Sequence, residues 1–379
     1  MIYYLHEFAK WFPDQELFRA FNVFQYVTLR ALGAAVTAFL LSLMCGNWVI
    51  RRLISLKLGQ PIRTKEEVNK LFELHGAKAG TPTMGGVLML GAVIVSSVLW
   101  ARPDNMAVWL LIFVLLYCGG LGFWDDYLKV SKKNSAGVSE RTKLIAQGIL
   151  AVLITAFFLL NPAIEVQARS LYVPFYKDPL IGNLGLIGTL GFFALVIVGA
   201  SNAVNLTDGL DGLAAGCTCT AAFAYAILAY VCGHVSIARY LDIPFYPFAS
   251  ELSVVCMALV GASFGFLWFN CHPAKVFMGD TGSLAIGGML GVTAICTKQE
   301  MLLVVVGGVF VIEAVSVLIQ RTWFKITRKR YGEGRRVFLM SPLHHHFELK
   351  GWKENTVIVR FWILSIMFAF LGLATLKLR

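Results

Sequence analysis

Apolar residues fall along this chain in long runs, and charged residues fall almost entirely between the runs. A helix needs about 20 apolar residues to cross a bilayer. Lipid offers no hydrogen-bond partner to a bare backbone, so helices are the expected form of such runs. The pattern places spans at 24–50, 82–100, 106–124, 144–160, 187–201, 212–232, 251–269, 281–297, 301–321 and 357–376. Two of these, 144–160 and 187–201, are short for a bilayer and are expected to extend or tilt. The expected fold is therefore all-α and integral to the membrane, with about ten transmembrane helices in one polytopic domain over residues 1–379. The segment 161–186, with Val166–Tyr176 rich in aromatic residues and with Pro174 and Gly182, has room for a small hairpin outside the cytoplasm.

Composition removes the soluble alternative. Of 379 residues, 58% are hydrophobic and 15% charged, and the mean hydropathy is +0.70. Soluble domains carry about 25% charge. The net charge of +11 would suit nucleic-acid binding in a soluble protein. Here it sits in short loops and reports topology instead, with no nucleic-acid partner implied. The loops 51–81, 125–143, 202–211, 270–280 and 322–356 alternate to one side and hold most of the Lys and Arg. The other side, tails included, has only Lys10, Arg19, Arg102, Arg169, Lys177, Arg239, Lys298, Lys377 and Arg379. The first set is read as cytoplasmic. Cys45, Cys118, Cys217, Cys219, Cys232, Cys256, Cys271 and Cys296 show neither a disulfide framework nor zinc spacing. Met1–Asn22, mixed aromatic and charged, does not read as a signal peptide.

Every unusual polar segment falls in the cytoplasmic set. Phe123-Trp124-Asp125-Asp126-Tyr127 puts two carboxylates directly after an apolar run, a costly position unless they are used. Successive residues point about 100° apart on a helix, so the two can serve different partners. Hard carboxylate oxygens suit Mg²⁺, which commonly bridges carboxylates and substrate phosphates. Asn202 to Gly212 adds Asn205, Asp208, Gly209, Leu210 and Asp211. Asp208 and Asp211 would share a face if helical; Asp211 could instead cap the next helix. Asn270 to Ser283 carries Lys275, Phe277 and Asp280, the last at a helix start whose free N–H groups would suit a phosphate. Ser341 to Glu348 contains His344, His345 and His346. Consecutive histidines do not converge on a tetrahedral zinc without unusual backbone, so hydrogen bonding to a pyrophosphate or proton handling is preferred. Lys78 to Gly86 opens the second span; it is not a Walker A loop, and Lys78 could contact a phosphate or nucleotide.

These segments together resemble the phospho-N-acetylmuramoyl-pentapeptide-transferase family, within the wider superfamily of polyprenyl-phosphate sugar-phosphate transferases. GTPTMGG at 80–86, FWDDY at 123–127, SNAVNLTDGLDGLA at 201–214, FMGDTGSLAIGG at 277–288 and PLHHHFE at 342–348 match it in order and spacing across nearly the whole chain. The resemblance implies transfer from UDP-N-acetylmuramoyl-pentapeptide to undecaprenyl phosphate with Mg²⁺, giving lipid I and UMP. It also implies a cytoplasmic-facing cleft among ten helices, commonly a homodimer, in the bacterial inner membrane. Carried over, Asp280 is the magnesium ligand, Asp125 and Asp126 an essential pair, and His344 an essential histidine. Lys78, Asn205, Asp208, Gly209, Leu210, Asp211, Asn270, Phe277, His345 and His346 become substrate-binding positions. A related N-acetylhexosamine-1-phosphate transferase is the nearest alternative. An ion-coupled transporter would place charges at span centres, where Glu313 is the main exception.

The topology is open to test by cysteine accessibility in a cysteine-free background. Ser131→Cys and Ser341→Cys should react with an impermeant reagent only from the cytoplasmic side, and Tyr176→Cys only from the other. Labelling of Ser341→Cys from outside would overturn the assignment.

Overall fold

A computed structural model describes residues 1–9, 11, 20–56, 80–132, 137–162 and 164–377. Helix occupies each of the predicted runs. The elements are α1 (Val27–Ser55), α2 (Gly86–Trp100), α3 (Met106–Ser131), α4 (Glu140–Leu159), α5 (Gly185–Thr207) and α6 (Leu213–Cys232). They continue as α7 (Leu252–Asn270), α8 (Gly279–Thr297), α9 (Glu300–Val306), α10 (Gly308–Tyr331), α11 (Leu343–Leu349) and α12 (Glu354–Ala374). Both short runs lengthen, α4 to 20 residues and α5 to 23. Local chemistry sets several boundaries. Asn105 caps α3 by accepting from the Ala107 N–H, and Ser139 caps α4 by accepting from the Thr142 N–H.

Seven of these helices are long and apolar enough to cross a membrane, or eight if α9 and α10, bent by 87° at their junction, form one broken span. The figure of about ten is thus not reached on length and apolarity. α2 falls short at 15 residues. α8 misses for another reason: Thr281 through Ile295 are all buried, so protein rather than lipid surrounds it. Its glycines and threonines serve packing, and lipid-facing apolarity is not needed there. α1 shows the opposite case. Leu32, Val36, Leu40, Met44 and Trp48, four residues apart, form an exposed apolar stripe, while Ala35 and Ser42 lie against Gly261 and Gly265 of α7. Such an outward stripe is what a bilayer would cover.

The hairpin expected in 161–186 shrinks to one antiparallel bridge between Leu171 and Ile181; no strand forms among the described residues. Backbone groups there are satisfied by the short helix Glu165–Ala168 and by Ser170, whose hydroxyl donates to the Gly182 carbonyl at 3.0 Å.

α8 is the hub, packed by α3, α5, α6 and α2. The crossing of α3 with the start of α8 depends on Gly122: a Cβ there would strike the Asp280 and Thr281 backbone. That approach brings the end of α3 onto the first turn of α8. The start of α2, the ends of α3, α5 and α7, and the starts of α6 and α8 all lie at this same end of the bundle.

At the opposite end a buried ion pair ties three segments. The Arg30 guanidinium on α1 meets both carboxylate oxygens of Glu251, just before α7, at 2.5 and 2.6 Å. Arg30 also donates to the Trp100 carbonyl at 3.2 Å, and the Arg102 N–H donates to Glu251 at 3.0 Å. Removing one partner of such a pair strands a buried charge. Arg30→Met is therefore expected to cost about 3–5 kcal/mol, read as a lower unfolding temperature in detergent. Arg30→Met with Glu251→Leu should recover most of that loss.

Candidate active site

The two carboxylates at the end of α3 diverge, as their helical offset requires. Asp126 turns to the first turn of α8. It accepts from the Asp280 N–H at 3.2 Å, the Thr281 N–H at 3.0 Å and the Thr281 hydroxyl at 2.8 Å. The helix start expected to offer its N–H groups to a phosphate is thus already occupied by a carboxylate, which those N–H groups and the helix dipole favour equally well. Asp125 faces the other way. Its Oδ1 accepts from the Val138 N–H at 2.6 Å, and its Oδ2 meets the Lys129 ammonium at 2.6 Å and that of Lys143 at 3.1 Å.

Asp280 closes the cluster. Its Oδ2 accepts from Lys143 Nζ at 2.6 Å and lies 3.2 Å from Lys129 Nζ. Its Oδ1 accepts from the Asn205 amide at 2.9 Å, and the same amide group donates to the Ser283 hydroxyl at 2.9 Å. One oxygen from each of Asp125, Asp126 and Asp280 lies within 4.8 Å of the others. This donor set fits a hard divalent cation such as Mg²⁺. Asp280 is the most open of the three, with its side chain 14% exposed against 0% and 4% for Asp125 and Asp126. Lys129 and Lys143 offset part of the negative charge.

Asp208 and Asp211 do not share a helical face, because α5 ends at Thr207 and α6 starts at Leu213. Asp208 accepts from the Gly279 N–H; burial pushes its carboxyl up to about 8, and the Asp280 and Asp126 charges add to the shift. Positive charge brought nearby would favour its ionised form. Asp211 does not cap α6, whose N-cap is Gly212 at φ +78°. It accepts instead from the Ala274 N–H at 3.1 Å, and it lies 3.1 Å from Nδ1 of His272. Glu354 joins from α12, accepting from the Asp211 N–H at 3.2 Å.

Around this core, Asn270 donates to the Val276 carbonyl at 2.8 Å and holds the 271–276 turn. The Phe277 N–H donates to the Pro82 carbonyl, and the Phe277 carbonyl accepts from the Gly85 N–H, both at 2.8 Å, joining the 80–86 segment to the start of α8. Phe277 is half-buried and Leu210 fully buried. Lys78 lies outside the described residues.

The three histidines of α11 separate. His344 is buried beside Glu313 of α10, with Nδ1 3.3 Å from Oε2. His345 Nδ1 pairs with Glu348 at 2.8 Å. His346 Nδ1 accepts from the Leu339 N–H at 3.1 Å, which needs a neutral ring; burial, helped by Lys350, lowers its pKa accordingly. His344 reaches the Asp208–Gly209 turn, with His345 packed against it. Its ring lies where a Cβ on Gly209 would be, so the Asp-Gly step at 208–209 seats this imidazole.

Sequence reasoning gave no role to Lys129, Lys143, His272, Glu313 or Glu354. Lys129 stands one turn beyond Asp125, so its signal was local. Lys143 reaches Asp280 across 137 residues, and no local pattern announces that.

A bundle of apolar helices with carboxylates, lysines and a histidine gathered at one end defines a membrane-embedded enzyme site of the phosphoryl- or glycosyl-transfer kind. The model of glycosyl transferase family 4 matches residues 108–298, and signature 1 of the phospho-N-acetylmuramoyl-pentapeptide-transferases matches residues 78–90. Curated proteins named phospho-N-acetylmuramoyl-pentapeptide-transferase align along nearly the whole chain. The one from Methylacidiphilum infernorum is 51% identical, with 100% of each chain covered. That from Desulfotalea psychrophila is 50% identical over 97% of this chain and 98% of its own. That from Neisseria gonorrhoeae is 48% identical over 100% of both. The chain belongs to the phospho-N-acetylmuramoyl-pentapeptide-transferase family, a group of multi-pass bacterial membrane transferases.

Asp126 also holds the start of α8 through three accepted hydrogen bonds. Asp126→Ala would leave two backbone N–H groups and a hydroxyl at the start of α8 without their acceptor. The expected cost is about 1–3 kcal/mol per stranded buried group. Thermal unfolding in detergent should show a clear fall for Asp126→Ala and a much smaller one for Asp126→Asn, which keeps an acceptor.

Proposed function

We propose that this chain transfers phospho-N-acetylmuramoyl-pentapeptide from UDP-N-acetylmuramoyl-pentapeptide to undecaprenyl phosphate, giving lipid I and UMP for peptidoglycan synthesis. The observation that carries the site assignment is the meeting of Asp125, Asp126 and Asp280 with Lys129 and Lys143 at one end of the bundle. The family's relatives, about half identical from end to end, carry the choice of substrate. We place the site at the cytoplasmic face of the inner membrane, because the loops at that end hold most of the Lys and Arg. One membrane domain spanning residues 1–379, working as a homodimer, completes the reading.

The reaction exchanges one phosphoanhydride for another, so it needs no redox chemistry and little net driving force. Its difficulty is electrostatic: two anionic substrates must meet, and charge grows on the departing UMP. Mg²⁺ bound chiefly by Asp280 would supply charge stabilisation for the diphosphate. Asn205 fixes the Asp280 carboxylate, and Asp126 fixes the backbone beneath it. Lys129 and Lys143 add two ammonium groups beside the place where phosphates must come together. Asp125 is enclosed and holds both lysines, so its influence on the lipid phosphate passes through them. The lipid phosphate is already largely ionised at neutral pH, and direct in-line attack needs no strong general base. Asn205, Asp208, Gly209, Leu210, Asp211, Asn270 and Phe277, with Lys78, are assigned to the nucleotide side. The Phe277 ring would stack on uracil, and amide or carboxylate groups would meet its polar edge. His344 to His346 are assigned to the phosphates.

The test is release of UMP by purified protein given UDP-N-acetylmuramoyl-pentapeptide, undecaprenyl phosphate and Mg²⁺. Asp280→Asn should nearly abolish turnover in a folded protein. Phe277→Ala should weaken UDP-sugar binding and leave lipid binding nearly intact. Asp125→Asn should lower turnover with UDP-sugar affinity within a few-fold, as for a group acting mainly in the transition state. A product carrying N-acetylglucosamine, with no lipid I formed, would assign the chain to the related transferases instead.

A further inference from the structure

α10 carries a carboxylate inside a stretch, Val309 to Ile319, that is otherwise apolar except for Ser316, and the reaction gives it no task. Glu313 is fully enclosed, and an enclosed charge in a membrane helix is expensive unless something answers it. What answers it is the segment before and within α11. The His344 N–H donates to Glu313 Oε1 at 3.2 Å, and His344 Nδ1 lies 3.3 Å from Oε2. One carboxylate thus accepts from the backbone of a histidine and lies against the Nδ1 edge of the same residue's ring, without a hydrogen bond to it in the unliganded protein.

The ring is constrained from its other sides as well. His345 packs against it with centroids 4.2 Å apart. Neither ring nitrogen makes a hydrogen bond, and Nε2 points at Gly209, where a Cβ would collide with it. Gly209 follows Asp208, whose carboxyl takes the Gly279 N–H beside Asp280. The two nitrogens therefore have distinct surroundings: Nδ1 faces a carboxylate, and Nε2 faces the turn that borders the acidic cluster. A buried polar atom without a partner is costly, and one aimed at a site marks the place of a ligand atom.

We propose that Glu313 is a positioning residue for the transfer reaction. Its carboxylate holds a proton on Nδ1 of His344 and so makes Nε2 the nitrogen presented at the Asp208–Gly209 turn; there the doubly protonated ring donates its Nε2–H to an anionic phosphoryl oxygen of the nucleotide substrate. A carboxylate behind an imidazole fixes its tautomer and orientation and stabilises its charged form. At 3.3 Å the contact is longer than a tight hydrogen bond, and such contacts shorten when substrate binds. Glu313 itself touches no substrate. The identity of the phosphoryl ligand rests on the function proposed above, whereas the tautomer does not.

The experiment uses full-length protein in detergent, labelled with ¹⁵N-histidine, with His344 assigned by its loss in His344→Gln. In the unliganded wild type, His344 should carry its proton on Nδ1. Glu313→Leu removes the acceptor and suits an apolar helix, and it should shift His344 toward the Nε2-protonated tautomer. Glu313→Gln keeps an acceptor and should restore the wild-type pattern. In the UMP-release assay, Glu313→Leu should lower kcat at least about tenfold with KM for the UDP-sugar within a few-fold, and Glu313→Gln should recover part of it. Added to His344→Ala, Glu313→Leu should lower kcat no further, because residues acting through one another are not additive. An Nδ1-protonated His344 in Glu313→Leu, or losses that multiply in the double variant, would overturn the proposal. Absence of UMP release by wild type, with the tautomer shift still present, would count against the proposed reaction and leave the positioning role standing.

Discussion

The grip of Asp126 on the first turn of α8 is the contact on which the site depends. A carboxylate at the end of one buried helix accepts three hydrogen bonds from the start of another. It can do so because Gly122, one turn earlier, lets the two backbones touch. With the α3–α8 junction fixed, Asp280 is set beside Asp125, and the long side chains of Lys129 and Lys143 can span both. α5 enters through Asn205, which ties Asp280 to Ser283. Neutralisation, capping and close packing are therefore one arrangement, and loss of any part loosens the others.

Packing also explains why α8 differs from its neighbours. A helix facing lipid needs large apolar side chains outward, and α1 supplies them. A helix facing only other helices gains by bringing backbones close, which favours Gly, Ala and Thr. α8 is of this second kind, so the element that organises the site is rich in small residues and falls outside the set of helices apolar enough to stand as membrane spans.

That contrast marks how far the sequence could be read. Helix existence followed from apolar runs, and the divergence of Asp125 from Asp126 followed from helical pitch. The clustering of polar segments at one end followed from alternation of the loops. What escaped were contacts across long stretches of chain. The N–H groups at the start of α8 looked free because their acceptor, Asp126, stands 154 residues away. Asp208 and Asp211 looked like a pair because they are close in sequence, yet the chain turns between them. Glu313 was visible as an anomaly in its span, but its partner lies on a helix that begins only at Leu343. The outer hairpin was overread: Pro174 and the aromatic residues suggested strands, and one bridged pair is what the backbone makes.

Lys129 and Lys143 give the acidic cluster a resident counter-charge. Two ammonium groups stand against three carboxylates, and both lie within 3.2 Å of the same Asp280 oxygen. An ion arriving at that oxygen enters by exchange, displacing an ammonium that is already well held. A monovalent ion brings no more charge than the group it would displace, whereas a divalent one doubles it. For a metal bound there as proposed, the lysines would be an electrostatic sieve, favouring ions by valence before size or coordination number comes into play.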